Sequence, residues 1–149
     1  MSKLRVKVRR LPHLGDLPLP SKQSGGSSGV DLYACVDGDV TLAPGESALV
    51  PAGISVEVPR GYEAQVRPRS GLALKKGVTV LNSPGTVDSD YRGEVGVILI
   101  NHGAESVKIR RGERIAQMVF SAVCDPVIEE SESLEETARG EGGFGHTGA

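Results

Sequence analysis

Tryptophan is absent from the 149-residue chain, and aromatics number only three tyrosines and two phenylalanines. The core must therefore be built from Val, Ile, Leu and Ala. Cysteine is equally scarce: Cys35 and Cys124 lie 89 positions apart and outside any CxxC pattern. They read as two buried free thiols in a reducing compartment. His13, His102 and His146 are scattered in the same way, so no zinc or transition-metal site is suggested. Long apolar runs are missing too. The longest, Val95–Ile100, has six residues including a glycine, against the ~18 of a membrane span. The N-terminus lacks the apolar stretch of a secretory signal, and the expected location is the cytoplasm. A net charge of −2 gives no bulk attraction to nucleic acid or to anionic membranes, so neither is expected as a partner. No GxxxxGK[ST] loop, no GxGxxG after a strand and no GxSxG elbow occurs.

What the chain does have is alternation. Leu4, Val6 and Val8 alternate with Lys3, Arg5, Lys7 and Arg9. The same period of two recurs in Ile54–Val58, Tyr62–Arg67 and Ser106–Arg110, and predicts half-buried strands. The basic N-terminus is accordingly read as the wet face of a strand. Ala48–Val50, Val78–Leu81, Val95–Ile100 and Ile115–Val123 are more continuously apolar and suit buried strands. Turn signals fall every ten or so residues: Pro44-Gly45, Pro51, Pro59-Arg60-Gly61, Pro84-Gly85, Arg111-Gly112. Many short strands at that spacing indicate one all-β sandwich or barrel. One short helix is predicted over 70–77, with Ser70 as its capping residue, Lys75 and Lys76 in its last turn and Gly77 as its stop. The acidic stretch 129–137 reads as a solvated linker. Glycine makes up 20 of the 149 residues and is concentrated at the end, in Arg139-Gly-Glu-Gly-Gly-Phe-Gly-His-Thr-Gly148. That segment cannot hold regular structure by itself. An arginine and an aromatic among glycines suit a segment that orders on something anionic and something flat.

Four further segments carry residues that a plain β-domain does not need. Asp31 interrupts the apolar pattern of SGVDLYA at 28–34. Arg69 and Ser70, in RPRSGL at 67–72, precede the helix, whose free N–H groups make an anion cradle. The stretch NSPGTVDSDYRGE at 82–94 joins two apolar strands with thirteen residues, where a hairpin uses about two to five; its three carboxylates, amide and tyrosine read as ligand recognition. Gln117 sits inside the apolar strand of GERIAQMV at 112–119 and needs partners, either backbone or a ligand. No protein metal cage is suggested, whereas a hydrated Mg²⁺ arriving on phosphates stays open.

In this order, SGVDLYA, RPRSGLA, NSPGTVDSDYRGE, GERIAQM and RGEGGFGHTG resemble the five motifs of the trimeric dUTP diphosphatases. The resemblance implies a distorted jelly-roll or β-clip protomer in a homotrimer with shared active sites. It implies a barrel domain at 1–127, a linker at 128–138, and an arm at 139–149 that closes over another chain's nucleotide. The implied reaction is Mg²⁺-dependent hydrolysis of dUTP to dUMP and pyrophosphate, which supplies dUMP for thymidylate synthesis and keeps uracil out of DNA. Asp88 would be the general base for water attack on the α-phosphorus, with Asp90 the confounder beside it. Asn82 would recognise uracil together with the backbone of Gly85, Thr86 and Val87; the strand near Gly96 would pass the base, and Tyr91 would lie under the deoxyribose. Arg69, Ser70, Gly71 and Gln117 would hold phosphates. Asp31 would bind Mg²⁺ through water, Arg139 would clamp the γ-phosphate, and Phe144 would stack on uracil. The arm's glycines, Gly145 among them, would allow close backbone approach to phosphate. His146 stands where many members have Ser, with Thr147 as a substitute contact. The competing readings are a dCTP deaminase-like relative, which gives no reason for the arm, and a trimeric nucleotide-binding module without catalysis, which the presence of Asp88 and Arg139 disfavours.

Overall fold

A computed structural model describes residues 3–148. Ten strands and one helix follow in order: β1 (Lys7–Arg10), β2 (Val30–Tyr33), β3 (Val40–Leu42), β4 (Ser47–Glu57), β5 (Tyr62–Arg67), α1 (Ser70–Lys76), β6 (Val78–Val80), β7 (Gly85–Val87), β8 (Glu94–Asn101), β9 (Val107–Ile109) and β10 (Arg114–Ala122), with a 3₁₀ turn at Pro12–Leu14. The fold is all-β. Strands pair antiparallel in two four-stranded sheets, β1-β4-β8-β6 and β2-β10-β5-β7, and in the ribbon β3-β9.

The two sheets share one apolar core, in which Leu32, Ala64, Val66 and Met118 of one and Val50, Ile54, Val97 and Leu99 of the other are buried. Its buried hydrophobics are aliphatic apart from Cys35 and Met118, as the shortage of aromatics requires. Burying one such aliphatic side chain is worth about 1.5–3 kcal/mol. On β8 the buried residues alternate with half-buried ones, so this apolar run has one inner face and one partly open face. Leu49, opposite it on β4, is 67% exposed.

Several sequence expectations are corrected. β1 covers only 7–10 and all four of its residues are exposed, because it is the edge strand of its sheet. Its Lys7 Nζ meets Glu57 Oε1 at 3.0 Å, and this ammonium holds the Glu57 carboxyl below its ordinary pKa. Pro51 is not a turn: it lies within β4, where the register to β8 breaks between Pro51 and Ser55 in a bulge. Cys124 is exposed while Cys35 is buried, since Cys124 lies past the end of β10 at Ala122 whereas Cys35 belongs to the core. The N-cap of α1 is Arg69, not Ser70, and no side chain caps the helix. Ser70 lies inside the first turn, which leaves its hydroxyl unspent on capping. Gly77 is the C-cap as expected.

Candidate active site

The central strand β10 gathers one group of site residues. Gln117 pairs in register with Asp31 of β2 on one side and Arg67 of β5 on the other, and its amide donates to Pro68 O at 3.0 Å. Its partner is thus backbone, just ahead of α1. Asp31 is nearly buried, and a buried carboxylate must be paired. Its Oδ1 lies 3.2 Å from Arg69 Nε and its Oδ2 3.2 Å from Arg114 Nη1. Arg69 Nη1 also donates to Arg114 O at 3.1 Å. Two of the three guanidinium nitrogens of Arg69 are thus engaged, and among the described residues its Nη2 makes no hydrogen bond. Sequence reasoning missed Arg114; the signal was a charged residue opening an apolar strand, in a motif already marked for Gln117.

A second group forms where the 82–94 stretch departs from a hairpin. β6 and β8 do pair, but the chain between them leaves their sheet, adds β7 to the edge of the other sheet against β5, and returns through a turn. Gly85 and Val87 are buried on β7 and Thr86 faces out. Asn82 and Asp88 stand at its two ends, both exposed. The side-chain hydrogen bonds of the stretch come from Ser83, Tyr91, Arg92 and Glu94; among the described residues none engages the Asn82 amide or the Asp88 carboxylate. Tyr91 Oη donates to Glu94 O at 2.8 Å. The hydroxyl end of its ring lies against Gly93, where a Cβ would come within 2.5 Å of Tyr91 Cζ, so a side chain there would displace the ring. Thr86, Val87, Asp88, Tyr91, Glu94, Val95 and Gly96 line a slot of about 170 Å³. Ligand pockets usually measure about 300–1,000 Å³, so the slot is sized for part of a nucleotide, a base and its sugar edge.

Among the described residues, no side-chain hydrogen bond or ion pair joins the two groups. The third set stands apart from both. Arg139 Nε donates to Gly142 O at 2.7 Å within its own segment, Phe144 is fully exposed, and Gly145 has a positive φ of 86°. One chain thus presents three incomplete parts of a site.

Among the described residues no three His, Cys, Asp or Glu side chains gather as a metal site, and Asp31 is flanked by two guanidiniums. This is no protein cage. It fits an ion that arrives on phosphates and keeps its waters, since each Asp31 oxygen retains a second lone pair.

The dUTPase family profile matches residues 16–148, a span that includes all five motifs. The chain belongs to the dUTPase family. A deoxyuridine 5'-triphosphate nucleotidohydrolase of Methylocella silvestris is 59% identical over 98% of this chain and 92% of its own length. The dUTPase of Staphylococcus bacteriophage 80alpha, solved with dUpNHpp, superposes with a TM-score of 0.86 at 25% identity, covering 97% of this chain and 99% of that one. A point-mutant dUTPase of phage phi11 of S. aureus, described with a structural Mg(II) ion, superposes with a TM-score of 0.77 at 22% identity, over 89% of this chain and 99% of that one; it supports the fold. The dUTPase fold is thus reached here by an all-β chain whose candidate site residues lie on β2, β7, β8 and β10, at the start of α1 and in the turns between strands.

Proposed function

We propose that this chain hydrolyses dUTP to dUMP and pyrophosphate, supplying dUMP and removing a source of uracil from DNA, in the cytoplasm. The observation that carries this reading is the slot between β7 and β8, lined by the ring of Tyr91 and by the Asp88 carboxylate, which has no side-chain partner among the described residues. Asn82 both donates and accepts, which matches the uracil 4-carbonyl and N3–H and mismatches cytosine. Backbone groups of Gly85, Thr86 and Val87 read the base edge, Gly96 lets the outgoing strand pass it, and the tight walls exclude a 5-methyl group. Tyr91 lies under the deoxyribose and leaves no place for a 2′-hydroxyl.

Asp88 holds a water in line with the α-phosphorus and takes its proton as the oxygen–phosphorus bond forms. The bond to the bridging oxygen of the β-phosphate breaks, and pyrophosphate leaves. Arg69, Ser70, Gly71 and Gln117 bind phosphate oxygens, and Asp31 keeps Arg69 aimed. Asp31 would accept from water around a nucleotide-borne Mg²⁺, which would offset the charge of the triphosphate. Arg139 clamps the γ-phosphate bidentately. Phe144 stacks on uracil, and the glycines around it, Gly145 included, let the backbone approach phosphate.

The three separate parts support a site assembled from several chains in a homotrimer. So do the exposed apolar side chains of Leu49, Leu74, Val127, Ile128 and Leu134, which contact with neighbouring chains would take out of water. Light scattering should return a particle of about three chains, and a monodisperse monomer would refute shared sites. The reading as a whole is tested by measuring pyrophosphate release from dUTP, dCTP, dTTP and UTP in parallel, with and without Mg²⁺. Release is expected from dUTP with the ion present. Equal release from all four nucleotides overturns it.

A further inference from the structure

Glu94 is the first residue of β8, and its two ends do different work. Its carbonyl accepts the Tyr91 hydroxyl at 2.8 Å. Its carboxylate Oε1 accepts the Gly53 N–H at 2.9 Å and lies 2.5 Å from His13 Nε2. Gly53 belongs to the bulge of β4, where ladder pairing with β8 is interrupted between Pro51 and Ser55. A bulge leaves backbone donors without a strand partner, and the Glu94 carboxylate takes one of them. Gly53 has a φ of +71°, and a Cβ there would come within 2.7 Å of Cys35 Sγ and 2.8 Å of Leu14 Cδ1, so the bulge packs closely on both and requires glycine. His13 is equally fixed, because its carbonyl accepts from Cys35 Sγ and Arg111 Nη2, both at 3.1 Å. The start of β8 is therefore pinned by a side chain where the ladder is broken, and the same residue supplies the acceptor that sets the Tyr91 ring.

We infer that Glu94, clamped by His13 and the Gly53 amide, is a positioning residue for Tyr91 and so sets discrimination between deoxyribose and ribose. The inference rests on the reading of Tyr91 as the floor of the sugar. Without the carboxylate the last ladder contact before the turn is Ser55–Glu94 alone, the Glu94 carbonyl shifts, and the ring tilts away from the place a 2′-hydroxyl would occupy. Misplacement by about 1 Å costs up to about 10²-fold in such sites.

The experiment uses the full chain, labelled with ¹³C at its tyrosine rings, in the parent and in E94A, E94Q, H13A and Y91A. It measures kcat/KM for dUTP and for UTP, the tyrosine ring resonances, and thermal unfolding. In E94A the dUTP-over-UTP ratio is expected to fall by about tenfold to 10²-fold, with the Tyr91 resonance displaced and those of Tyr33 and Tyr62 in place. E94Q retains an acceptor oxygen and restores the ratio and the resonance. H13A moves both in the direction of E94A by less. An undisplaced Tyr91 resonance in E94A overturns the positioning role, whatever the rates. A displaced resonance in E94A with no change of ratio in Y91A also overturns the inference, and traces its failure to the sugar reading of Tyr91 rather than to the clamp. If E94A does not fold, H13A and E94Q decide: a parental resonance and ratio in H13A overturns the clamp.

Discussion

The D88N variant is expected to bind nucleotide as the parent does and to turn it over about 10²–10⁴-fold more slowly, the usual contribution of a general base. Asn is nearly isosteric with Asp, and among the described residues the Asp88 carboxylate has no side-chain hydrogen bond, so the substitution breaks no structural contact. It removes the one property the reaction needs, an anionic oxygen able to take a proton from water. Single-turnover pyrophosphate release beside equilibrium binding of a non-hydrolysable dUTP analogue separates the two effects. A kcat equal to the parent's removes Asp88 from the mechanism. A fall matched by lost binding reassigns it to holding substrate. The neighbouring Asp90 supplies the control: D90N should retain most of the rate, because Asp88 directly follows β7, which is anchored by its pairing with β5, whereas Asp90 lies out in the turn.

Truncation after Thr137 is expected to leave a folded oligomer whose kcat/KM for dUTP is at least about 10²-fold lower, the scale of losing one or more donors to a developing charge. Stability should hardly change. β10 ends at Ala122, Phe144 is fully exposed, and Arg139 bonds only within its own segment, so removing these residues opens no cavity. Circular dichroism and light scattering should match the full chain while turnover collapses. R139A and F144A divide the effect: the first should weaken affinity for the triphosphate more than for the monophosphate, and the second should weaken both. A truncated enzyme with the parental rate would show that the glycine-rich segment plays no part in the reaction.

The residues behind these two expectations were legible for different reasons. Arg139 and Phe144 stand out because they are charged and aromatic where only glycine surrounds them, a compositional contrast that needs no fold. Asp88 is one of three acids in the 82–94 stretch, and composition alone does not choose among them; the ordered match of five motifs does. Asp31 was visible as an interruption of an apolar strand, but its partners were not. Arg69 lies 38 positions further on and Arg114 another 45, and only the alignment of β2 and β5 on either side of β10 brings them to one carboxylate. Glu94 and His13, 81 residues apart, gave no signal as a pair, because a hydrogen bond between distant segments leaves no local pattern.

The amino-acid order by itself determined whatever depends on near neighbours. That comprises the all-β class from period-two alternation, the aliphatic core from the dearth of aromatics, the stop of α1 at Gly77, and the five chemical segments. Tertiary structure decided what depends on who covers whom. It showed that Pro51 runs through a strand, that β1 is exposed as an edge, that Cys124 lies in water, and that a thirteen-residue connection crosses from one sheet to the other to build the slot. Periodicity reports which way successive side chains point, a property of a few adjacent torsions. Burial and strand pairing are set by contacts between segments far apart in the chain, whose free energy exists only once both are in place.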